Sequence, residues 1–291
     1  MTRRLTCCGK KLDLSPSAFG EMESSDPGLD DIASLRQKLR TDGYLLLRGL
    51  LDQESVLEAR RQSIDNISKG GHLDPSFPPE DVVAASGTKI SQTINGQQIS
   101  AVDSLLRKGK LPNFFDSLLD GKSRVFDYIW LRIKGPGAST APHCDIVYMN
   151  RGTPNLFTTW VPLGDVEMEY GSLTILERSH LVEKLDEGYR SMDIDKDGNR
   201  KKIRFRHGRF FRGGKYSKNP PAVQREFGLR WLSADFRAGD VCILNVHMLH
   251  GSLDNQTSKV RLSADTRYQL ASEPIDERWV GDNPTGHKEY E

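Results

Sequence analysis

Apolar residues recur at Leu29, Ile32, Leu35 and Leu39, and the run stops at Thr41-Asp42-Gly43. Spacing of three to four positions predicts an amphipathic helix closed by a glycine. Residues 44–51 are a short apolar run between Gly43 and Asp52, which predicts a buried strand. Asp52 then caps a second helical pattern with Val56, Leu57, Ile64 and Ile67 on its inner face. Residues 69–98 are rich in Gly, Pro, Ser and Gln and predict a loop with short elements. A short helix near 114–119 leads into strand candidates at 125–133, 156–161, 173–176, 231–236, 241–246 and 260–269. Turn signals such as Gly135-Pro136-Gly137, Gly164-Asp165 and Gly239-Asp240 separate them. Many short strands punctuated in this way predict a β-sandwich or barrel behind a helical layer.

Residues 1–28 lack periodicity and predict a mobile or loosely docked arm, with 29–291 as one domain. The stretch 183–230 interrupts the strand pattern. A connection of that length is a lid, a binding loop or a disordered insert.

Charge sharpens this picture. The chain of 291 residues carries 41 Lys and Arg against 40 Asp and Glu, a net +1. That balance and 36% hydrophobic residues exclude a disordered chain and argue against a dedicated nucleic-acid binder. The balance is uneven, however. Residues 183–230 hold 14 basic and 7 acidic residues, so this stretch is +7 and the remainder −6. Between Arg200 and Lys218 nine basic residues occur with no acidic one, interleaved with Phe205, Phe210, Phe211 and Tyr216. This run is either a solvated face or a lid that draws in an anionic substrate. No apolar run approaches the ~18 residues of a membrane helix. The basic N-terminus has no apolar segment of a secretory signal, and Cys7, Cys8, Cys144 and Cys242 lack zinc-type spacing. A cytoplasmic chain with reduced thiols is expected, with no nucleic-acid or membrane partner. Nothing in the sequence assigns an oligomeric state.

The chemistry concentrates at His143-Cys144-Asp145. Residues i and i+2 of an extended segment face the same side, so an imidazole and a carboxylate come together. His250, 105 residues after Asp145, is the candidate third ligand, and His247 competes with it. Two histidines and one carboxylate on one face of a metal leave positions open, the arrangement of non-haem Fe(II) oxygenases. Arg261 lies in the alternating run Val260-Arg261-Leu262-Ser263 and needs an anionic partner if its face is buried. A dicarboxylate co-substrate would supply one through a bidentate contact. His72, His180, His207 and His287 are expected to be surface or core histidines without a special role. Asp193-x-Asp195-x-Asp197-Gly198 imitates an EF-hand start, but Arg204 stands where the bidentate Glu belongs. A solvated acidic turn is expected there.

These residues, with Trp160 in TTWVPLGDVEMEYGSLTILERSH and His250-Gly251-Ser252-x-x-Asn255 before Arg261, resemble the phytanoyl-CoA dioxygenase family. LRTDGYLLLRGLLDQESV resembles the family's opening helix-strand-helix. The resemblance covers about residues 35–270. It implies a mainly β fold with flanking helices around a double-stranded β-helix (jelly-roll, cupin-like) core. It also implies Fe(II)- and 2-oxoglutarate-dependent oxidation of a small molecule by O2, most simply C–H hydroxylation, releasing succinate and CO2, with ascorbate as reductant in vitro. His143, Asp145 and His250 would bind iron. Arg261 would pair with the distal carboxylate of 2-oxoglutarate, with Ser252, Ser263 and Trp160 lining that site and Lys89 matching a family lysine near it. Asp145 disfavours a halogenase, which needs that position vacant for chloride. The alternatives are a non-redox metal-binding cupin-like protein and an inactive scaffold.

Overall fold

The computed structural model describes residues 3–197, 203–204, 210–211 and 213–287. Two sheets face each other. The larger runs, in spatial order, Ser24–Ser25, Tyr44–Leu47, Val241–Asn245, Phe157–Pro162, Arg261–Leu270, Trp130–Lys134 and Ser91–Asn95, with Ser123–Val125 pairing the far end of Arg261–Leu270. The smaller runs His250–Ser252, Leu173–Leu176, Trp231–Ser233 and Phe19–Glu21. Most pairs are antiparallel; the two N-terminal strands Phe19–Glu21 and Ser24–Ser25 pair in parallel. The chain thus has the jelly-roll type of core expected, mostly β with flanking helices, and the sheets are mixed and do not close into a barrel.

Period-two alternation divides the larger sheet. Leu45, Leu47, Val241, Ile243, Leu131, Ile133, Leu262 and Ala264 face outward and pack on the helices Ile32–Asp42, Gln53–Ser68, Ser100–Arg107 and Lys110–Leu119. Tyr44, Leu46, Cys242, Leu244 and Trp160 face inward and meet Leu173, Ile175 and Leu232 of the smaller sheet. Each fully buried Leu or Ile in these layers contributes about 1.5–3 kcal/mol. The capping expected of Asp52 is present, its Oδ2 accepting from the Ser55 N–H at 2.8 Å, and Asp31 caps the first helix in the same way, its Oδ1 accepting from the Ser34 N–H at 2.8 Å.

Two expectations need correction, those for the arm and the acidic turn. The N-terminal arm is not loose: Leu5, Cys7, Leu12, Ala18 and Met22 are buried, and its strands extend both sheets. The stretch 69–98 is loop with short elements as expected, among them the strand Ser91–Asn95, whose polar sequence reflects an exposed sheet edge. The acidic turn is not merely solvated. Asp193 accepts from Arg151 at 2.8 Å, and Asp195 pairs with Arg278, so arginines neutralise it where a calcium loop would bind an ion. Of the insertion 183–230, residues 198–202, 205–209 and 212 lie outside the described residues, and with them six of the nine basic residues of the run 200–218. Among the described residues no helix is long and apolar enough to cross a membrane.

Candidate metal centre and co-substrate cleft

His143 and His250 lie opposite each other and exchange both backbone hydrogen bonds, 2.8 and 2.9 Å. This bridge joins the segment after Trp130–Lys134 to the edge of the smaller sheet. Gly251 permits the approach: a Cβ there would sit 2.5 Å from the Thr140 carbonyl oxygen. Cys144 is extended, and Asp145 opens a 3-10 turn, Asp145–Val147. The carboxylate therefore turns back to the same side as His143, as the spacing predicts.

The three ligand atoms lie within 4.8 Å of one another and all three residues are buried. His143 Nε2 is 3.4 Å and His250 Nε2 3.8 Å from Asp145 Oδ1. Both rings are anchored in the same way. His143 Nδ1 is 2.9 Å from the Ala141 carbonyl oxygen, and His250 Nδ1 3.0 Å from that of Met248. A carbonyl only accepts, so each Nδ1 carries the proton and each Nε2 presents a lone pair toward Asp145. Burial, reinforced by the neighbouring His143, pushes His250 down to about 4, which keeps it neutral.

The other carboxylate oxygen is occupied. Asp145 Oδ2 accepts from Thr158 Oγ1 at 2.5 Å and from Arg267 Nη2 at 2.7 Å. Burial alone would raise this carboxyl; Arg267 overrides it and holds it well below the usual range. The result is an ionised Asp145 with Oδ1 turned to the two imidazoles. Arg267 also binds Asp265 at 2.5 Å and lies over Trp130, 4.1 Å from its ring centroid. Arg132 completes the chain by pairing with Asp265.

A cleft of about 370 Å³ runs from His143 and His250 past Trp160, Leu244 and Ser252 to Arg261. Arg261 is 1% exposed, yet its hydrogen bond goes to a neutral group, Ser263 Oγ, and its Nε has no partner. Among the described residues no carboxylate pairs with it. Burial and the nearby Arg132 push it down to about 10. Ser263 Oγ also accepts from Trp160 Nε1 at 3.1 Å, which leaves its hydroxyl proton as a further donor. Ser252 Oγ accepts from the Thr140 N–H at 2.8 Å and ties down the loop before His143. A buried, uncompensated guanidinium at one end and a His-Asp-His set at the other fit a metal-chelating dicarboxylate.

Seven of the eight residues singled out in the sequence meet at this site. Lys89 does not: it is exposed and lines neither this cleft nor the wider one beyond the triad. His247 stays apart, its Nδ1 3.1 Å from Asn245 Oδ1. Thr158, Arg267, Asp265 and Arg132 were missed. The alternation that marks Arg261 and Ser263 also puts Asp265 and Arg267 on their face, and this is the signal that finds them. Leu262, Ala264 and Tyr268 fill the opposite, helix-facing side.

Comparison with known proteins agrees. The family described as phytanoyl-CoA dioxygenase (PhyH) matches residues 39–263, which include the triad, Arg261 and Ser263. A 1-deoxypentalenic acid 11-beta-hydroxylase of Streptomyces exfoliatus is 26% identical over 260 residues, 84% of each chain. In fold the chain is similar to the epimerase SnoN in complex with Fe3+, alpha ketoglutarate and nogalamycin RO. The TM-score is 0.57 at 19% identity over 87% of this chain and 92% of that one. It is also similar to the alpha ketoglutarate dependent carbocyclase SnoK from nogalamycin biosynthesis, with a TM-score of 0.58 at 16% identity over 87% and 90%. Identities this low carry the fold alone. The match over most of the chain, with a His-Asp-His set inside it, decides the class: the protein belongs to the phytanoyl-CoA dioxygenase family and is an Fe(II)- and 2-oxoglutarate-dependent oxygenase.

Proposed function

We propose that the protein hydroxylates an aliphatic C–H bond of a small molecule, with His143, Asp145 and His250 as the iron ligands. Arg261, Ser263, Trp160 and Ser252 form the 2-oxoglutarate site in this reading. The observation that carries it is the buried Arg261, without a carboxylate, at the end of the cleft that begins at the two histidines. When bound, Fe(II) with 2-oxoglutarate supplies the oxidising chemistry that ends in succinate, CO2 and oxidised product.

The chain's own residues do the rest. Ala141 and Met248 carbonyls fix the histidine tautomers, and Thr158 and Arg267 fix the carboxylate. Arg261 and Ser263 orient the dicarboxylate, and Trp160, Leu173 and Leu244 keep the cleft apolar between its ends. A separate cleft of about 800 Å³ reaches His143 and Asp145 from outside, past Tyr128, Trp130, Tyr148 and Met149, and serves as the substrate entrance. The four free cysteines support a reducing, cytoplasmic setting.

Screening small molecules for succinate formation above the substrate-free rate, with mass analysis of the product, tests this reading. A product heavier by one oxygen supports hydroxylation. A product lighter by two hydrogens moves the assignment to desaturation or ring closure.

A further inference from the structure

The outer cleft has an aromatic wall and a charge surplus. Arg132 and Arg267, which line it, are compensated: both pair with Asp265, and Arg267 also with Asp145. Two lysines are not, Lys215 in its lining and Lys134 outside it. Lys215 lines the cleft, and among the described residues it forms no ion pair. The sequence leading into it, residues 198–212, contains no acidic residue. Lys134 is buried, and its Nζ donates to a neutral group, Ser91 Oγ, at 2.8 Å. Burial, reinforced by Arg261, Arg132 and Lys215, pushes Lys134 down to about 7. An anion nearby would relieve that repulsion.

Lys215 is exposed but not free to wander. Tyr148 Oη donates to the Gly213 carbonyl at 3.0 Å, and Tyr189 Oη to that of Gly214 at 2.5 Å. On the other side the Tyr216 N–H donates to the Pro142 carbonyl at 2.8 Å, one residue before His143. Lys215 is thus held between anchors on both sides, and one of them belongs to the segment that carries the metal ligand. Tyr148 itself stands edge-on to His143, with ring centroids 5.7 Å apart. A group bound at Lys215 would have its distance from the metal fixed by backbone.

We propose that the substrate is a small carboxylic acid with an apolar body. Its carboxylate docks on Lys215, with Lys134 behind it, and its body lies against Trp130, Tyr128 and Tyr148. This deepens the proposed function and rests on its placement of 2-oxoglutarate in the inner cleft. Lys215 is a specificity-determining residue: it selects the anion and sets which carbon faces the metal.

The test uses the full chain loaded with Ni(II) and 2-oxoglutarate, followed by the fluorescence of Trp130 and its neighbours. The probes are adamantane-1-carboxylate, its uncharged carboxamide, and octanoyl-CoA. In the wild type the carboxylate should bind about tenfold more tightly than the carboxamide, the gain of one partly screened charge pair. Lys215→Met should abolish the preference and Lys215→Arg restore it, with 2-oxoglutarate affinity the same in all three. Equal affinities in the wild type, or a preference that survives Lys215→Met, would overturn the proposal. So would failure of the carboxylate to bind up to about 10 mM. Tighter binding of octanoyl-CoA than of the carboxylate would also overturn it, because the anion recognised would then be a nucleotide. If 2-oxoglutarate itself does not bind, the inner-cleft reading falls and takes this proposal with it, an outcome distinct from loss of the carboxylate preference with 2-oxoglutarate still bound.

Discussion

Arg261→Met separates a co-substrate clamp from a structural arginine, because the two roles predict opposite signs. In the metal-free chain the guanidinium is buried beside Arg132, and its value falls from 12.5 to about 10. At ~1.36 kcal/mol per pH unit this is a penalty of about 3 kcal/mol. The folded value lies below the unfolded one, so the charged side chain works against folding at every pH below about 10. Methionine removes that penalty and loses the hydrogen bond to Ser263, worth about 1 kcal/mol. The variant without ligands should therefore be as stable as the wild type, or more stable by up to ~2 kcal/mol. Binding moves the other way. Leaving the 2-oxoglutarate carboxylate buried without its partner costs about 3–5 kcal/mol, roughly two to four powers of ten in Kd. Thermal unfolding with Ni(II), with and without 2-oxoglutarate, reads both effects, since a ligand that binds the folded state raises Tm. Wild type should show a large 2-oxoglutarate shift and Arg261→Met none, from an equal or higher starting Tm. A variant that starts several degrees lower and keeps the shift would make Arg261 a structural residue and refute the clamp.

Thr158→Val keeps the shape but removes the hydroxyl that holds Asp145 Oδ2. Metal affinity should fall about 10–100-fold in a Ni(II) titration, and an unchanged affinity would show that Arg267 alone positions the carboxylate. His250 sits at about 4 when folded and near 6.5 when unfolded, so between these values the unfolded chain binds more protons. Stability contributed above pH 6.5 should thus be lost as pH falls toward 4, at ~1.4 kcal/mol per pH unit for this one group. Urea unfolding of metal-free protein should show that slope, and His250→Asn should flatten it; an identical slope in the variant would contradict the assignment. Gly43 has φ +79°, and a Cβ there would lie 2.4 Å from His180 Nδ1 and from Met248 Cε. Gly43→Ala should cost about 1–3 kcal/mol in denaturant unfolding, and tolerance would mean that the helix end relaxes freely.

How far the sequence discloses this site depends on periodicity. Arg261, Ser263, Asp265 and Arg267 alternate with Leu262, Ala264 and Tyr268, so their shared face follows from strand geometry alone. His143 and Asp145 are legible for the same reason. Lys134 is as well placed, opposite Arg261 in register, but strand pairing is a tertiary fact and nothing local announces it. Lys89 failed because it lies in an irregular stretch where spacing does not fix direction. The docked arm was missed because Leu5, Cys7 and Leu12 join one part of the core and Met22 another, at irregular spacing. Such burial leaves no period to detect. Thr158 carries no signal either; an alternating Thr in a strand becomes a ligand's partner only through the 3-10 turn that aims Asp145 at it.

The central claim is that His143, Asp145 and His250 together hold the iron at which 2-oxoglutarate is consumed. Succinate formed by purified protein with Fe(II), ascorbate and 2-oxoglutarate, measured beside bound metal for wild type and Asp145→Ala, tests it most directly. The wild type should bind one metal ion per chain and release succinate slowly without added substrate, and Asp145→Ala should lose both while remaining folded. A folded Asp145→Ala chain that binds metal and forms succinate at the wild-type rate would contradict the claim.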